Sequence, residues 1–252
     1  MSAVPEPTAV DAVVVPRPAA TVMLLRDGTD GLEVLLLRRA SSTPFVPGAH
    51  VFPGGAVDDA DVEPSGPDGV VVGRAAADVD RLLGVDAGGT GFFLTAVREC
   101  LEEAGIVLAR EADDRPVRPD HPIFDDLPRL RPALEAGTRT LVDVYREHGL
   151  RVPLDELAYV ARWITPEPSP RRYDARFFAA AMPEGQRAGA DGWEAVDAGW
   201  WRPADALSDW QAGRIDIIEP TVASLELLAT YPSAGAAMEA LHAGVTVEGA
   251  QG

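Results

Sequence analysis

The stretch Arg98-Glu-Cys-Leu-Glu-Glu-Ala-Gly-Ile106 constrains this chain more than any other. At roughly 100° per residue, a helix through it places Glu99, Glu102 and Glu103 within about a third of its circumference. Like charges crowded on one side destabilise an isolated helix, so that side needs an opposite charge. Hard carboxylate oxygens suit a divalent cation such as Mg²⁺ or Mn²⁺, which binds through a few carboxylates plus the phosphates of a substrate. The other side, Phe93, Ala96, Val97, Cys100, Leu101 and Ala104, is apolar and suited to packing on a sheet, and Gly105 is placed to end the helix. Standing alone, the segment could equally be a solvated acidic face.

It does not stand alone. Upstream lies Val51-Phe-Pro-Gly-Gly-Ala-Val-Asp-Asp-Ala-Asp61, a short apolar run broken by a Pro-Gly-Gly turn and followed by acids. Together the two pieces resemble the Nudix box, G-x5-E-x7-R-E-U-x-E-E-x-G-U with U aliphatic. Gly55 matches the leading glycine, and Asp61 falls where the family has its first glutamate. Arg98, Glu99, Glu102, Glu103, Gly105 and Ile106 match the second half in register, with Cys100 at an aliphatic position. Val62 to Val97 replace the family's short spacer. An insertion at this point is similar to that of the coenzyme A diphosphatase branch. Trp163-Ile-Thr-Pro166 and Pro170-Arg-Arg-Tyr-Asp-Ala-Arg-Phe-Phe178 also resemble that branch. So do Leu35, Leu36, Arg39, Ala40, Gly48 and Phe52 to Gly55, although Leu37 replaces a threonine and Pro44 an arginine of its signature.

The resemblance implies an α/β fold: a Nudix-type α/β/α sandwich with a mixed sheet, plus a helical insertion and C-terminal helices. Glu99, Glu102 and Glu103 would hold Mg²⁺ or Mn²⁺, with a backbone carbonyl of Gly54 or Gly55 nearby. Glu194, in the loop before the strand bearing Trp200, would complete the metal site, with Glu184 and Asp197 as rivals. Glu99, or alternatively Glu194, would accept a proton, and Arg98 would orient Glu99. Asp61 would support the site. The implied activity is hydrolysis of a nucleoside diphosphate linked to another moiety. Coenzyme A or acyl-coenzyme A leads as substrate. NADH, ADP-ribose, nucleotide sugars and nucleoside triphosphates remain alternatives, as does a noncatalytic nucleotide-sensing or interaction module. The resemblance allows a homodimer.

Charge narrows the partners. A formal net charge of −18 over 252 residues disfavours nucleic acid and anionic membranes, which need basic residues to offset phosphate. A phosphorylated small molecule would therefore rely on metal and local arginines. The candidate substrate-binding residues are Arg39 and Gly55, both in the signature region, and the cluster Arg171, Arg172 and Arg176, since guanidinium binds phosphate in a bidentate manner. His50, next to the Pro-Gly-Gly turn, is placed to line the pocket. Cys100, the single cysteine, reads as a small buried residue in a reducing, cytoplasmic setting. No run reaches the roughly twenty apolar residues of a membrane span, and neither a secretory leader nor a peroxisomal C-terminal address is visible.

The length and 46% hydrophobic content suit one elaborated domain. A flexible arm is expected over 1–18, the main domain over 19–232, and a C-terminal helix and tail over 233–252. Within the main domain, strands are expected over Thr21–Leu25 and Leu32–Arg38, joined by a Gly/Asp-rich hairpin, and over Tyr159–Ile164 and Tyr173–Ala181. The insertion, 62–91, carries a short helix over Arg74–Leu83, and Thr90 is a candidate N-cap for the box helix. Helical periodicity over 123–150, with Gly137 as a break, marks a cap rather than catalytic equipment. Trp200 to Leu207 reads as a strand followed by a helix with Pro203 in its first turn, and Thr221–Thr230 as a final helix.

Overall fold

Two apolar runs, Ala19–Leu25 and Val34–Leu37, are too continuous for strands with one wet face and belong in a sheet covered on both sides. The computed structural model, which describes residues 14–43, 46–61 and 69–247, shows this arrangement. Strands β1 (Arg17–Gly28) and β2 (Gly31–Arg39) form a hairpin closed at Gly28 and Gly31, so both extend into the expected turn. β3 (His50–Val51) pairs with β2, and β4 (Gly54–Ala56) pairs with β1 through Thr21, Ala20 and Ala19.

After the insertion's short β5 (Val71–Val72) come α1 (Ala76–Leu83) and the box helix α2 (Gly89–Ala104). The helix begins one residue before Thr90. Its first N–H is served from outside: Asp80 of α1 accepts from Gly89 N at 2.7 Å, so a tertiary contact takes the capping role expected of Thr90. β6 (Arg110–Glu111), α3 (Ile123–Glu135), α4 (Leu141–Glu147) and β7 (Leu150–Pro153) follow. Gly137, at φ 65°, breaks the cap where expected. Then come β8 (Ala158–Ile164), β9 (Tyr173–Ala181), β10 (Ala195–Trp201), α5 (Pro203–Gln211), α6 (Glu219–Leu228) and α7 (Ala234–His242).

The main sheet has seven strands, ordered β10-β2-β1-β9-β8, with β3 on β2 and β4 on β1. It is mixed, because β1 and β9 run parallel while their neighbours are antiparallel. One face, with Val22, Leu24, Leu35, Leu37 and Phe178, packs on Phe93, Val97 and Leu101 of α2. The other, with Met23, Leu25, Val34, Leu36 and Phe177, packs on Leu225 and Leu228 of α6 and Leu241 of α7. Each such side chain contributes about 1.5–3 kcal/mol of burial. The result is the α/β/α sandwich. β5 of the insertion joins β7 and β6 in a separate small sheet. The expected arm lies largely outside the described residues, but β1 starts at Arg17, inside the 1–18 range. The C-terminal tail beyond Val247 also lies outside them.

Candidate active site

Arg98 is the hub of the box. All its N–H donors are occupied: Nε and Nη2 meet Asp61 at 3.0 Å each, Nη1 meets Glu99 Oε1 at 2.8 Å and Glu102 Oε2 at 3.2 Å, and Nη2 also meets Ala56 O at 3.0 Å. Asp61 is spent on its own network, accepting also from Thr95 Oγ1 at 2.8 Å and Asp58 N at 3.1 Å. It therefore supports the site through Arg98 and does not face the cleft. The shorter acid still reaches because a one-turn 3-10 helix over Asp59–Asp61 brings it against α2.

Glu103 turns the other way, accepting from Gly54 N at 3.0 Å. Gly54 thus meets the carboxylates through its N–H. A side chain at Gly54 would strike Thr21 and the Ala20 carbonyl, and one at Gly55 would enter the Glu99 carboxylate. The Pro-Gly-Gly turn lets the backbone of β4 lie directly on the acidic face of α2.

Of the three buried glutamates, Glu99 and Glu102 share the Arg98 guanidinium, while Glu103 has the Gly54 N–H and the more distant charge of Arg39. Burial, only partly offset by Arg98, pushes Glu99 up to about 7. Burial and the neighbouring Glu99 push Glu102 up to about 8, and burial with Glu99 pushes Glu103 up as well. Burial works against the Arg98 charge, but Glu99, Asp61 and Glu102 together hold it firmly protonated. The donor set fits a hard divalent cation: oxygen ligands only, too little positive charge, and an open cavity beside them. Among the described residues no histidine, cysteine or acidic side chains gather at ligand spacing in this conformation. Glu99 and Glu102 instead lean on Arg98, and Glu103 on Gly54.

These groups open onto a cavity of about 590 Å³. Arg39, Gly54, Gly55, Arg98, Glu99, Glu102, Glu103, Arg171 and Glu194 all line it. Glu194 sits on a turn built by Asp191, whose Oδ1 accepts from Trp193 N at 2.6 Å and Glu194 N at 2.9 Å. Its charge is felt at both Glu99 and Glu103, whereas Glu184 and Asp197 lie off the cavity.

Two expected phosphate ligands are corrected. Arg176 points to the sheet face opposite its neighbours Ala175 and Phe177, which line the cavity; it pairs with Asp174 and stacks 4.7 Å from the Phe92 ring. Arg172 donates to Thr165 O at 2.9 Å, Val14 O at 2.8 Å and Glu167 at 2.8 Å, pinning the 165–172 loop. His50 is corrected too. It lines a separate hollow with Arg38, Asp197 and Trp201, its ring 5.7 Å from that of Trp201.

Trp163, Tyr173, Trp193 and Glu135 also line the cavity, and none of them is singled out as a site residue by sequence reasoning. Trp163 and Tyr173 lie in the segments that resemble the coenzyme A branch, which was the available signal. Glu135 carried none, because it belongs to the cap helix α3. Cys100 is buried as expected, and burial raises its thiol far above the ordinary value. Among the described residues no helix is long and apolar enough to cross a membrane.

A mixed sheet between helices, with a glycine turn laid on a carboxylate-bearing helix, is the architecture of the Nudix class. The structure is similar to that of a Nudix hydrolase from Alicyclobacillus acidocaldarius, 30% identical with a TM-score of 0.71, covering 94% of this chain and 99% of that one. A family model described as the NUDT19 Nudix domain matches residues 76–228, more than half of the chain. A Xenopus laevis protein named acyl-coenzyme A diphosphatase NUDT19 is 25% identical over 235 residues, covering 82% of this chain and 62% of that protein. The human protein of the same name is 30% identical over 237 residues, covering 81% and 62%. The chain thus spans about 62% of the length of these curated relatives. It belongs to the Nudix family, in the branch defined by the NUDT19 Nudix domain.

Proposed function

We propose that the chain is a metal-dependent pyrophosphohydrolase of coenzyme A or acyl-coenzyme A, releasing 3′,5′-ADP and a 4′-phosphopantetheine. The observation that carries the reading is the buried set Glu99, Glu102 and Glu103, the first two paired with Arg98, joined in the same cavity by Glu194. The names of the NUDT19 relatives support the substrate.

Glu99, Glu102, Glu103 and Glu194 would hold Mg²⁺ or Mn²⁺, which supplies neutralisation of pyrophosphate oxygens and acidification of water. Arg98 keeps Glu99 oriented toward the cavity. Glu99, held at about 7 by burial, is suited to take up a proton near neutral pH. Arg39 and Arg171, at the cavity wall, bind the phosphates. The aromatic rings of Trp163, Tyr173 and Trp193 and the apolar Ala175 and Phe177 give the uncharged parts of the substrate a surface to lie on. The reading includes a cytoplasmic location, to which the buried Cys100 thiol lends support.

The test is product analysis after incubating coenzyme A, acyl-coenzyme A, NADH, ADP-ribose, nucleotide sugars and nucleoside triphosphates with Mg²⁺ or Mn²⁺. Glu102→Gln serves as control. Release of 3′,5′-ADP that disappears in the control supports the reading. Turnover of another substrate alone overturns the coenzyme A assignment, and no turnover with metal bound overturns the enzyme.

A further inference from the structure

The last carbonyls of a helix have no partner within it, and α2 ends among the candidate metal ligands. Each of these carbonyls can be followed. Cys100 O and Leu101 O accept from Ile106 N at 3.3 Å and Gly105 N at 3.1 Å, the pattern of a glycine-terminated helix. Glu102 O and Glu103 O receive neither. They accept instead from Arg131 of α3, through Nε at 2.7 Å and Nη2 at 3.0 Å. Ala104 O accepts from Gly189 N at 2.9 Å, and Gly189 O accepts from the same Arg131 Nη2 at 3.0 Å. One guanidinium therefore joins the turn that carries Glu102 and Glu103 to the segment that runs directly into the Asp191–Glu194 turn.

Further contacts reinforce the joint. The Gln186 side-chain amide brackets Val107, accepting from its N at 2.8 Å and donating to its O at 3.0 Å. One helical turn beyond Arg131, Glu135 lines the same cavity wall as Trp193, the neighbour of Glu194. A side chain at Gly105 would press on Arg131 Nη1 at 3.3 Å, so the glycine that ends the helix also makes room for the brace.

We propose that Arg131 is a positioning residue that sets Glu194 against Glu102 and Glu103, with Glu135 and Trp193 as its second point of contact. The cap helix is thus part of the metal-site machinery. The inference rests on the proposed metal-binding role of these carboxylates, and its experiment separates the two.

Arg131→Lys keeps the charge but cannot span three carbonyls. Mn²⁺ titration and amide hydrogen exchange of the metal-free protein are measured well below the melting temperature. The expected result is a roughly 10- to 100-fold weaker Mn²⁺ affinity, the usual effect of removing an outer-shell partner, and faster exchange across 192–195. The turnover number should fall more than KM changes. A lower melting temperature with wild-type Mn²⁺ affinity and wild-type exchange would mean that Arg131 is merely structural, and overturns the proposal. Should Arg131→Lys fail to fold, Trp193→Phe alters the second contact and is read by Mn²⁺ affinity and by exchange across 192–195 alone, since Trp193 also lines the substrate cavity. A wild-type protein that binds no Mn²⁺ sinks the metal-dependent reading instead. Exchange at 192–195 would then decide the brace by itself: faster in the variant upholds it, unchanged overturns it.

Discussion

Arg98 and Asp61, separated by 37 residues and an insertion, form a two-point ion pair at 3.0 Å with both side chains buried. The pair keeps the guanidinium from neutralising Glu99 and Glu102 completely, because part of its charge is committed elsewhere. Asp61→Ala should leave Arg98 to collapse onto those two carboxylates. Breaking a buried pair from one side costs about 3–5 kcal/mol. Urea unfolding should show that loss, and Mn²⁺ titration of the folded fraction should show weaker binding. Unchanged stability would rule out the buried pair.

Gly55→Ala separates function from stability. The new methyl would occupy the place of the Glu99 carboxylate, the movable end of a side chain, so the fold can yield at a cost of about 1–2 kcal/mol. Displacing Glu99 should lower turnover roughly 100-fold or more, as expected when an electrostatic group leaves its place in the transition state. Steady-state kinetics beside a thermal melt checks both halves.

The carboxylates also predict how stability follows pH. Glu102 sits at about 8 in the folded protein against an ordinary 4.5, and Glu99 at about 7. Raised acid groups bind protons more tightly in the folded state, so their stabilisation is complete below about 4.5 and is lost as pH rises through 7 and 8. Between about pH 4.5 and 8 the metal-free protein should lose about 1.4 kcal/mol per pH unit for each proton that the folded state holds and the unfolded chain does not, and the curve should level off above about 8. Mn²⁺ should restore stability, and Glu102→Gln should flatten the slope. Melts in EDTA that show the same slope in Glu102→Gln would contradict this account.

The arginines of the 171–176 segment should behave in opposite ways. Arg171→Ala, at the cavity wall, should raise KM about 10-fold with little change in turnover, as for loss of one charge-assisted contact. Arg176→Ala removes a buried side chain from Phe92 on the far face while Asp174 keeps its bidentate pair with Arg162, and should cost about 1–3 kcal/mol of stability without a selective effect on KM. Kinetics and denaturant unfolding of the two variants side by side test the assignment.

What could be read from the sequence was local. The helix through Arg98 to Ala104, its apolar face, its glycine stop and the carboxylates at 99, 102 and 103 follow from a period of 3.6 residues and one backbone preference. The two strands of the β1–β2 hairpin follow from continuous apolar runs. The remainder depended on which segments meet. Arg171, Arg172 and Arg176 look alike in sequence, yet strand alternation and the loop's own hydrogen bonds send only Arg171 to the cavity. Asp80 caps the box helix, Asp61 occupies Arg98, and Arg131 closes the helix end from what the periodicity marks only as a cap. The sequence alone determined which residues could share a helix face or a strand, because that geometry repeats over a few residues. Only the tertiary structure decided which buried donor each buried acceptor would find, because unmet backbone and charged groups are satisfied by whatever the packed chain brings within hydrogen-bond reach.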